Sequence, residues 1–94
     1  MPRKPARATV FHAIADPTRR ALVLALARWE RTAGALAGPF GMSQPAVSQH
    51  LKVLRDAGLV RHRRVGRHLL YRLEPAPLRE VREWVRRFEP FTDP

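Results

Sequence analysis

Cysteine is absent from this 94-residue chain. That excludes disulfides, thiolate metal sites and cysteine nucleophiles together. Acidic residues are scarce, 8 against 18 Lys and Arg, which leaves a formal net charge of +10. Nearly all the cations are arginine; the exceptions are Lys4 and Lys52. Guanidinium groups suit phosphate forks and base edges better than ammonium groups do. The balance therefore implies a polyanionic partner, with nucleic acid ahead of an anionic membrane surface. No apolar run is long enough to cross a bilayer, so no membrane span is expected. The start, MPRKPARA, is basic but lacks the apolar stretch of a secretory signal, so the expected location is cytoplasmic. His12, His50, His62 and His68 are scattered, and none pairs with a carboxylate at a catalytic spacing, so the chain does not read as an enzyme. The length allows one domain with one modest core.

The stretch from Ser43 to Val60, SQPAVSQHLKVLRDAGLV, organises the rest. It reads as a helix with both ends marked. Ser43 can cap the free amides of the first turn, and Pro45 lies in that turn, where its missing N–H costs little. Gly58 can take the left-handed conformation that closes a helix. At about 100° per residue, Ala46, Val47, His50, Leu51, Val53, Leu54 and Ala57 share one wide arc. Gln44, Ser48, Gln49, Lys52, Arg55 and Asp56 share the other. Amides and hydroxyls suit base edges and cations suit phosphates, so this face is predicted to enter a DNA groove. Taken alone it is equally an ordinary amphipathic surface helix; the neighbouring elements decide between the two.

Met1 to Ala8, with Arg3, Lys4 and Arg7, reads as a solvated, flexible basic arm. A domain for DNA binding and dimerisation is expected over residues 9–91. Val10, Phe11 and Ile14 make a short apolar helix. Asp16-Pro17 is a strong start signal for a second, in which Leu22, Leu26 and Trp29, widened by Val23, form a core stripe. Arg19 and Arg20 stand in its first turn, where cations oppose the helix dipole, so a carboxylate or a phosphate is expected beside them. Thr32 can cap a third helix through Ala37, ended by Gly38-Pro39, and Phe40-Gly41-Met42 then turns into the organising helix. Two helices joined by a short Gly-containing turn make a helix-turn-helix whose second helix is the reader. Leu59 to Val65 and His68 to Leu73 read as strands around Gly66, the second alternating with a period of two. With Arg61, Arg63, Arg64 and Arg67 near its tip, this hairpin reads as a DNA-binding wing; the alternative is a solvated edge blunted by charge. Pro75 and Pro77 can open a last helix, along which Leu78, Val81, Val85 and Phe88, joined by Trp84, form an apolar stripe. The fold class is mostly α with a β-hairpin wing: four helices, two strands and a fifth helix.

These residues carry a resemblance. ADPTRRALVLALA (Ala15 to Ala27), the organising helix, and GRHLLYRL (Gly66 to Leu73) resemble the ArsR/SmtB family of winged-helix transcriptional regulators. The likeness runs from about Phe11 to Phe91. It is closest to the branch without metal-binding cysteines, in which Met-Ser precedes the reading helix and a Trp lies in the last one. It implies a homodimer, paired through the first and last helices, that represses a promoter by binding a pseudo-palindromic operator in double-stranded DNA. Metal sensors of the family often place Cys-x-Cys where this chain has Thr32 and Gly34. Others use ligands on the last helix, which here has no His. Both departures argue against a metal cofactor, and no other cofactor is implied. Trp29 stands where the family commonly has the Gly of a Gly-Glu turn, of which Glu30 remains.

The candidate DNA-binding residues are Ser43, Gln44, Ser48, Gln49, His50, Lys52 and Arg55 on the helix, and Arg63, Arg64 and Arg67 on the wing. His50 belongs to the family's recognition motif, yet its helical angle is on the packed side. It is read first as a packing residue whose ring bonds a neighbour or a phosphate. The candidate dimer interface is Phe11 and Ile14 with Leu78, Val81, Trp84, Val85 and Phe88. The competing function is a winged helix used as an architectural or protein-docking module with non-specific nucleic-acid affinity. Gln44, Ser48 and Gln49 count against it, because such side chains distinguish bases rather than merely neutralise phosphates. The sequence names no small-molecule effector.

Overall fold

The computed structural model describes residues 9–92. The basic arm expected at Met1 to Ala8 lies outside the described residues. Helix α1 spans Val10–Ala13, α2 Pro17–Leu26, α3 Ala33–Phe40 and α4 Gln44–Asp56. Strands β1 (Val60–Val65) and β2 (His68–Leu73) follow, then α5 (Leu78–Arg86) and a single helical turn, α6 (Glu89–Thr92).

Each of the first four helices starts where a hydroxyl or carboxylate can take an orphan amide. Thr9 accepts from His12 N–H, Asp16 from Arg19 N–H, Thr32 from Ala35 N–H and Ser43 from Ala46 N–H. Two of them, α3 and α4, are also closed by a glycine. Gly41 (φ 61) follows α3, where Gly41 N–H donates to Gly38 O and Met42 N–H to Ala37 O. Gly58 (φ 78) follows α4 with the same pair of bonds, to Arg55 O and Leu54 O. This is the Schellman arrangement, and it needs a residue without Cβ strain in the left-handed region.

The core is one cluster. Leu22, Leu36, Val47, Leu51, Leu54 and Leu59 are fully buried, with Val10, Leu26, Val60 and Tyr71 nearly so. It joins α2, α3 and α4 to the base of the hairpin. Fully burying a leucine is worth about 1.5–3 kcal/mol, so α4 is held to the body mainly by Val47, Leu51 and Leu54. The hairpin is antiparallel, with Val60 opposite Leu73 and Val65 opposite His68. That register leaves a two-residue turn, Gly66-Arg67, with glycine at φ 61 in the first position, as tight hairpins favour.

Several sequence expectations are corrected. Helix α3 does not stop at Gly38-Pro39; it runs to Phe40 and closes at Gly41. Pro39 in the last turn costs one backbone bond, and the glycine behind it supplies the real stop. Trp29 is not in the core stripe. Helix α2 ends at Leu26, and the ring lies beyond it, 61% exposed, with the Arg31 guanidinium 4.9 Å from its centroid. Arg31 itself extends the hairpin: its N–H donates to Tyr71 O at 3.0 Å and its O accepts from Tyr71 N–H at 2.8 Å. The last helix is divided, because α5 ends at Arg86 and Pro90 lies in the separate turn α6. Pro75 and Pro77 form the turn before α5 rather than part of it. Among the described residues, the hydrogen-bond partners of Arg19 and Arg20 are not carboxylate side chains. They are the carbonyls of Ile14, Ala13 and His12 at the end of α1.

Candidate nucleic-acid interface

Helix α4 presents two chemistries because its sequence alternates at helical spacing. With Val47, Leu51 and Leu54 buried, Gln44, Gln49, Lys52 and Asp56 are exposed and Ser48 and Arg55 are half-buried. Lys52 Nζ donates to Asp56 Oδ2 at 3.1 Å, an exposed i,i+4 pair. Such a pair is worth only about 0.3–0.5 kcal/mol, so a phosphate can compete for the lysine. The Ser43 hydroxyl is occupied as an acceptor by Ala46 N–H at 3.2 Å, and its own proton is left to donate.

The wing and the helix meet. Gln44 and Ser48 line one cleft with Thr32 to Ala35 at the start of α3 and with Arg67, His68, Leu69 and Tyr71 from the hairpin. On the other flank, Ser48, Gln49, Lys52 and Arg55 share a shallow depression with Pro45 and Tyr71. Tyr71, 5% exposed, is the floor common to both. The structure thus brings Gln44, Ser48 and Arg67 together in one place, and Ser48, Gln49, Lys52 and Arg55 in another. The start of α3, Thr32 to Gly34, was not expected at this site. Its amide-rich first turn can receive a phosphate oxygen. The available signal was the helix-turn-helix itself, whose first helix begins beside the second.

The three wing arginines are not equivalent. Arg64 stands opposite Leu69 and Arg63 opposite Leu70. Neighbouring residues of a strand point to opposite faces. Arg64 therefore shares the face of Leu69 and Tyr71, which packs towards the body, whereas Arg63 is on the outer face. There Arg63 Nε donates to Glu30 Oε2 at 3.1 Å. Arg61 pairs loosely with Glu74 at 3.9 Å. Arg67 sits in the turn itself.

His50 is half-buried and turned towards α2, where its Nδ1 lies 3.5 Å from Arg19 Nη1. The reading of His50 as a residue that bonds a neighbour agrees with this position. Asp16, which caps α2, is held below the usual carboxylate range. The Arg19 amide bond is the main cause, the Arg19 charge adds to it, and desolvation opposes it.

The seven residues expected at a dimer interface divide by depth. Ile14, Leu78 and Val81 pack against the core. Phe11, Trp84, Val85 and Phe88 stay 37–51% exposed on one surface. Phe11 meets Trp84 edge-on at 6.0 Å, and Trp84 meets Phe88 at 5.1 Å. Among the described residues, no three His, Asp or Glu side chains converge as a metal site would require. No described helix is long and apolar enough to cross a membrane.

Residues 16–62, which hold α2, α3, α4 and the start of the wing, match the family model described as bacterial regulatory protein, arsR family. The chain is 46% identical over 86 residues to the HTH-type transcriptional regulator Rv2034 of Mycobacterium tuberculosis, covering 92% of this chain and 78% of that protein. The chain belongs to the arsR family. It is also 37% identical to the transcriptional repressor SdpR of Bacillus subtilis, over 84% of this chain and 88% of the repressor. Among solved structures, an ArsR-like transcriptional regulator from Rhodococcus sp. RHA1 superposes with a TM-score of 0.78 at 34% identity, covering 86% of this chain and 74% of that one. A possible transcriptional regulator for arsenical resistance gives 0.76 at 45% identity, covering 83% and 81%. This arsR-family protein is a DNA-binding transcriptional regulator of the repressor kind, with a winged-helix fold, and not an enzyme.

Proposed function

We propose that the protein works as a homodimer on a pseudo-palindromic operator in the cytoplasm, with α4 of each subunit in successive major grooves. Gln44, Ser48 and Gln49 read base edges. Ser43, Lys52 and Arg55 meet phosphates, and Arg64 and Arg67 carry the wing to the flanking backbone or minor groove. Arg63 serves the same wing at longer reach, and His50 supports the helix from its packed side. The observation that carries this reading is the single polar face of α4. Its amides stand exposed while Val47, Leu51 and Leu54 fix the helix rigidly behind them. Bidentate contacts from glutamine to adenine require that combination of free amide and immobile backbone.

Dimerisation is supported by the exposed surface of Phe11, Trp84, Val85 and Phe88. Aromatic clusters of this kind on a small domain mark protein contacts. A second copy covers them by two-fold symmetry and spaces the two reading helices about 34–36 Å apart, one turn of DNA. Selection of bound sequences from a random pool, followed by footprinting on the recovered site, tests both claims. A palindromic consensus with two protected half-sites one helical turn apart is expected. Binding without sequence preference would instead support an architectural role.

A further inference from the structure

Arg19 lies in the first turn of α2, where the helix dipole disfavours a cation. Its side chain is held there by three contacts. Nε donates to Ala13 O at 2.7 Å, Nη2 donates to His12 O at 3.1 Å, and Nη1 approaches His50 Nδ1 at 3.5 Å. Beside it, Arg20 Nη1 donates to Ile14 O at 2.8 Å. The two arginines therefore take carbonyls at the C-terminal end of α1, of which His12 O also accepts from Ala15 N–H. Only Arg19 also reaches α4. Arginine is a donor without acceptor capacity, so its contact with His50 requires Nδ1 to accept and places the ring proton on Nε2.

The position of α1 makes this contact consequential. Phe11 on α1 meets Trp84 on α5, and α1 packs against both α5 and α4. One guanidinium therefore connects the helix whose Phe11 adjoins the exposed aromatic surface of α5 to the middle of the helix with the exposed amides. We infer that Arg19 is a positioning residue, which couples the dimer-forming helix α1 to the DNA-reading helix α4 through His50 without touching DNA itself. The inference rests on the proposed reading of α4. It adds that base discrimination depends on a side chain far from any base.

Two alternatives can be separated from it. A phosphate contact by Arg19 would add to the salt dependence of binding. A purely structural clamp would lower thermal stability and leave the discrimination of the folded protein unaltered. A coupling residue changes discrimination, in concert with His50, at constant salt slope.

The test uses the full chain and the sequence recovered from the random pool. Arg19→Lys keeps the charge but loses the fork, and Arg19→Gln loses both; each is first checked for helicity by circular dichroism. The ratio of specific to non-specific affinity should fall on the order of tenfold in both, with the salt slope unchanged. Arg19→Gln combined with His50→Asn should lose no more discrimination than the worse single variant, because the two act as one unit. Multiplied losses, a flatter salt slope, or unchanged discrimination would each overturn the proposal. Amide hydrogen exchange of the DNA-free protein provides a readout independent of operator binding. Arg19→Gln should speed exchange in α1 and around His50 together, and acceleration confined to α1 would defeat the coupling. Should Gln44 and Gln49 prove irrelevant to base preference, the reading of α4 falls, while the exchange experiment still decides the clamp.

Discussion

At the scale of single residues, chemistry and position must agree before a role can be assigned, and two adjacent arginines of the wing show why. Arg63 and Arg64 are adjacent in sequence and identical in chemistry, but β-strand alternation sends them to opposite faces. Arg63 is engaged by Glu30, so neutralising it should flatten the salt slope of DNA binding less than neutralising Arg64 or Arg67. Competition binding of the three single alanine variants between 50 and 200 mM salt checks the order, and each phosphate contact removed should lower the slope by about 1. On α4, Gln44→Ala and Gln49→Ala should each relax base preference at one position per half-site, at a cost of roughly 1–3 kcal/mol. Lys52→Ala and Arg55→Ala should weaken all sequences about equally. Repeating the selection with each variant separates the two classes, and an unchanged consensus from the glutamine variants would sink the assignment of faces.

At the scale of elements, the helices are set by their ends and by what lies behind them. Asp16 caps α2 with its charge held below the usual carboxylate range, chiefly by the Arg19 amide. A carboxylate with a depressed value in the fold contributes stability that is present above its unfolded value near 3.8 and is lost as pH falls through the folded value. The cap's contribution should therefore fade only below about pH 4, and Asp16→Asn should remove that part of the pH dependence of stability measured by circular dichroism. Behind α4, Leu51 has no exposed surface. Leu51→Ala should cost about 2–5 kcal/mol of unfolding free energy in a urea titration and remove the platform on which the glutamines stand. The end signals were legible in the sequence because capping is local chemistry: Ser43, Asp16, Thr32 and Gly58 all serve as read. The end of α3 was misread because Gly38-Pro39 and Gly41 are competing stop signals three residues apart. Which of them closes the helix depends on whether Met42 N–H can reach Ala37 O, and that is decided by the path into α4.

At the scale of the whole molecule, charge and the uncovered aromatic surface are the leading features. The net charge of +10 makes every nucleic-acid affinity strongly dependent on salt. A dimer with about 6–10 phosphate contacts should lose on the order of 10³–10⁵ in affinity between 50 and 200 mM salt. Trp84→Asp places a charge within the Phe11–Trp84–Phe88 cluster and should yield folded monomers with weak operator binding. Sedimentation of the wild type at micromolar concentration supplies the control. A well-folded wild-type monomer under those conditions would remove the dimer from the mechanism. Calorimetric titration with zinc, nickel and copper is expected to reveal no site tighter than micromolar that also lowers operator affinity, since a tight site needs three or four converging ligands.

The sequence by itself determined the order of the first four helices and the hairpin, the buried and polar faces of α4, and the family. Periodicity, caps and charge are all written along the chain and require no knowledge of what lies across from them. Tertiary structure decided the rest. Arg19 and Arg20 could be seen to need a partner, but that the partner is the end of α1 follows only from the packing of α1 across the start of α2. Trp29 has the right spacing for a core stripe, yet α2 ends before it and its ring stacks with the Arg31 guanidinium instead. Arg31 carries no strand signal of its own, and it joins the sheet only because Tyr71 leaves an N–H and a carbonyl free on the other edge of β2. Only the Arg31–Tyr71 pairing joins groups far apart in sequence; the other two turn on how short segments fold back on their neighbours, and a linear pattern has no term for either.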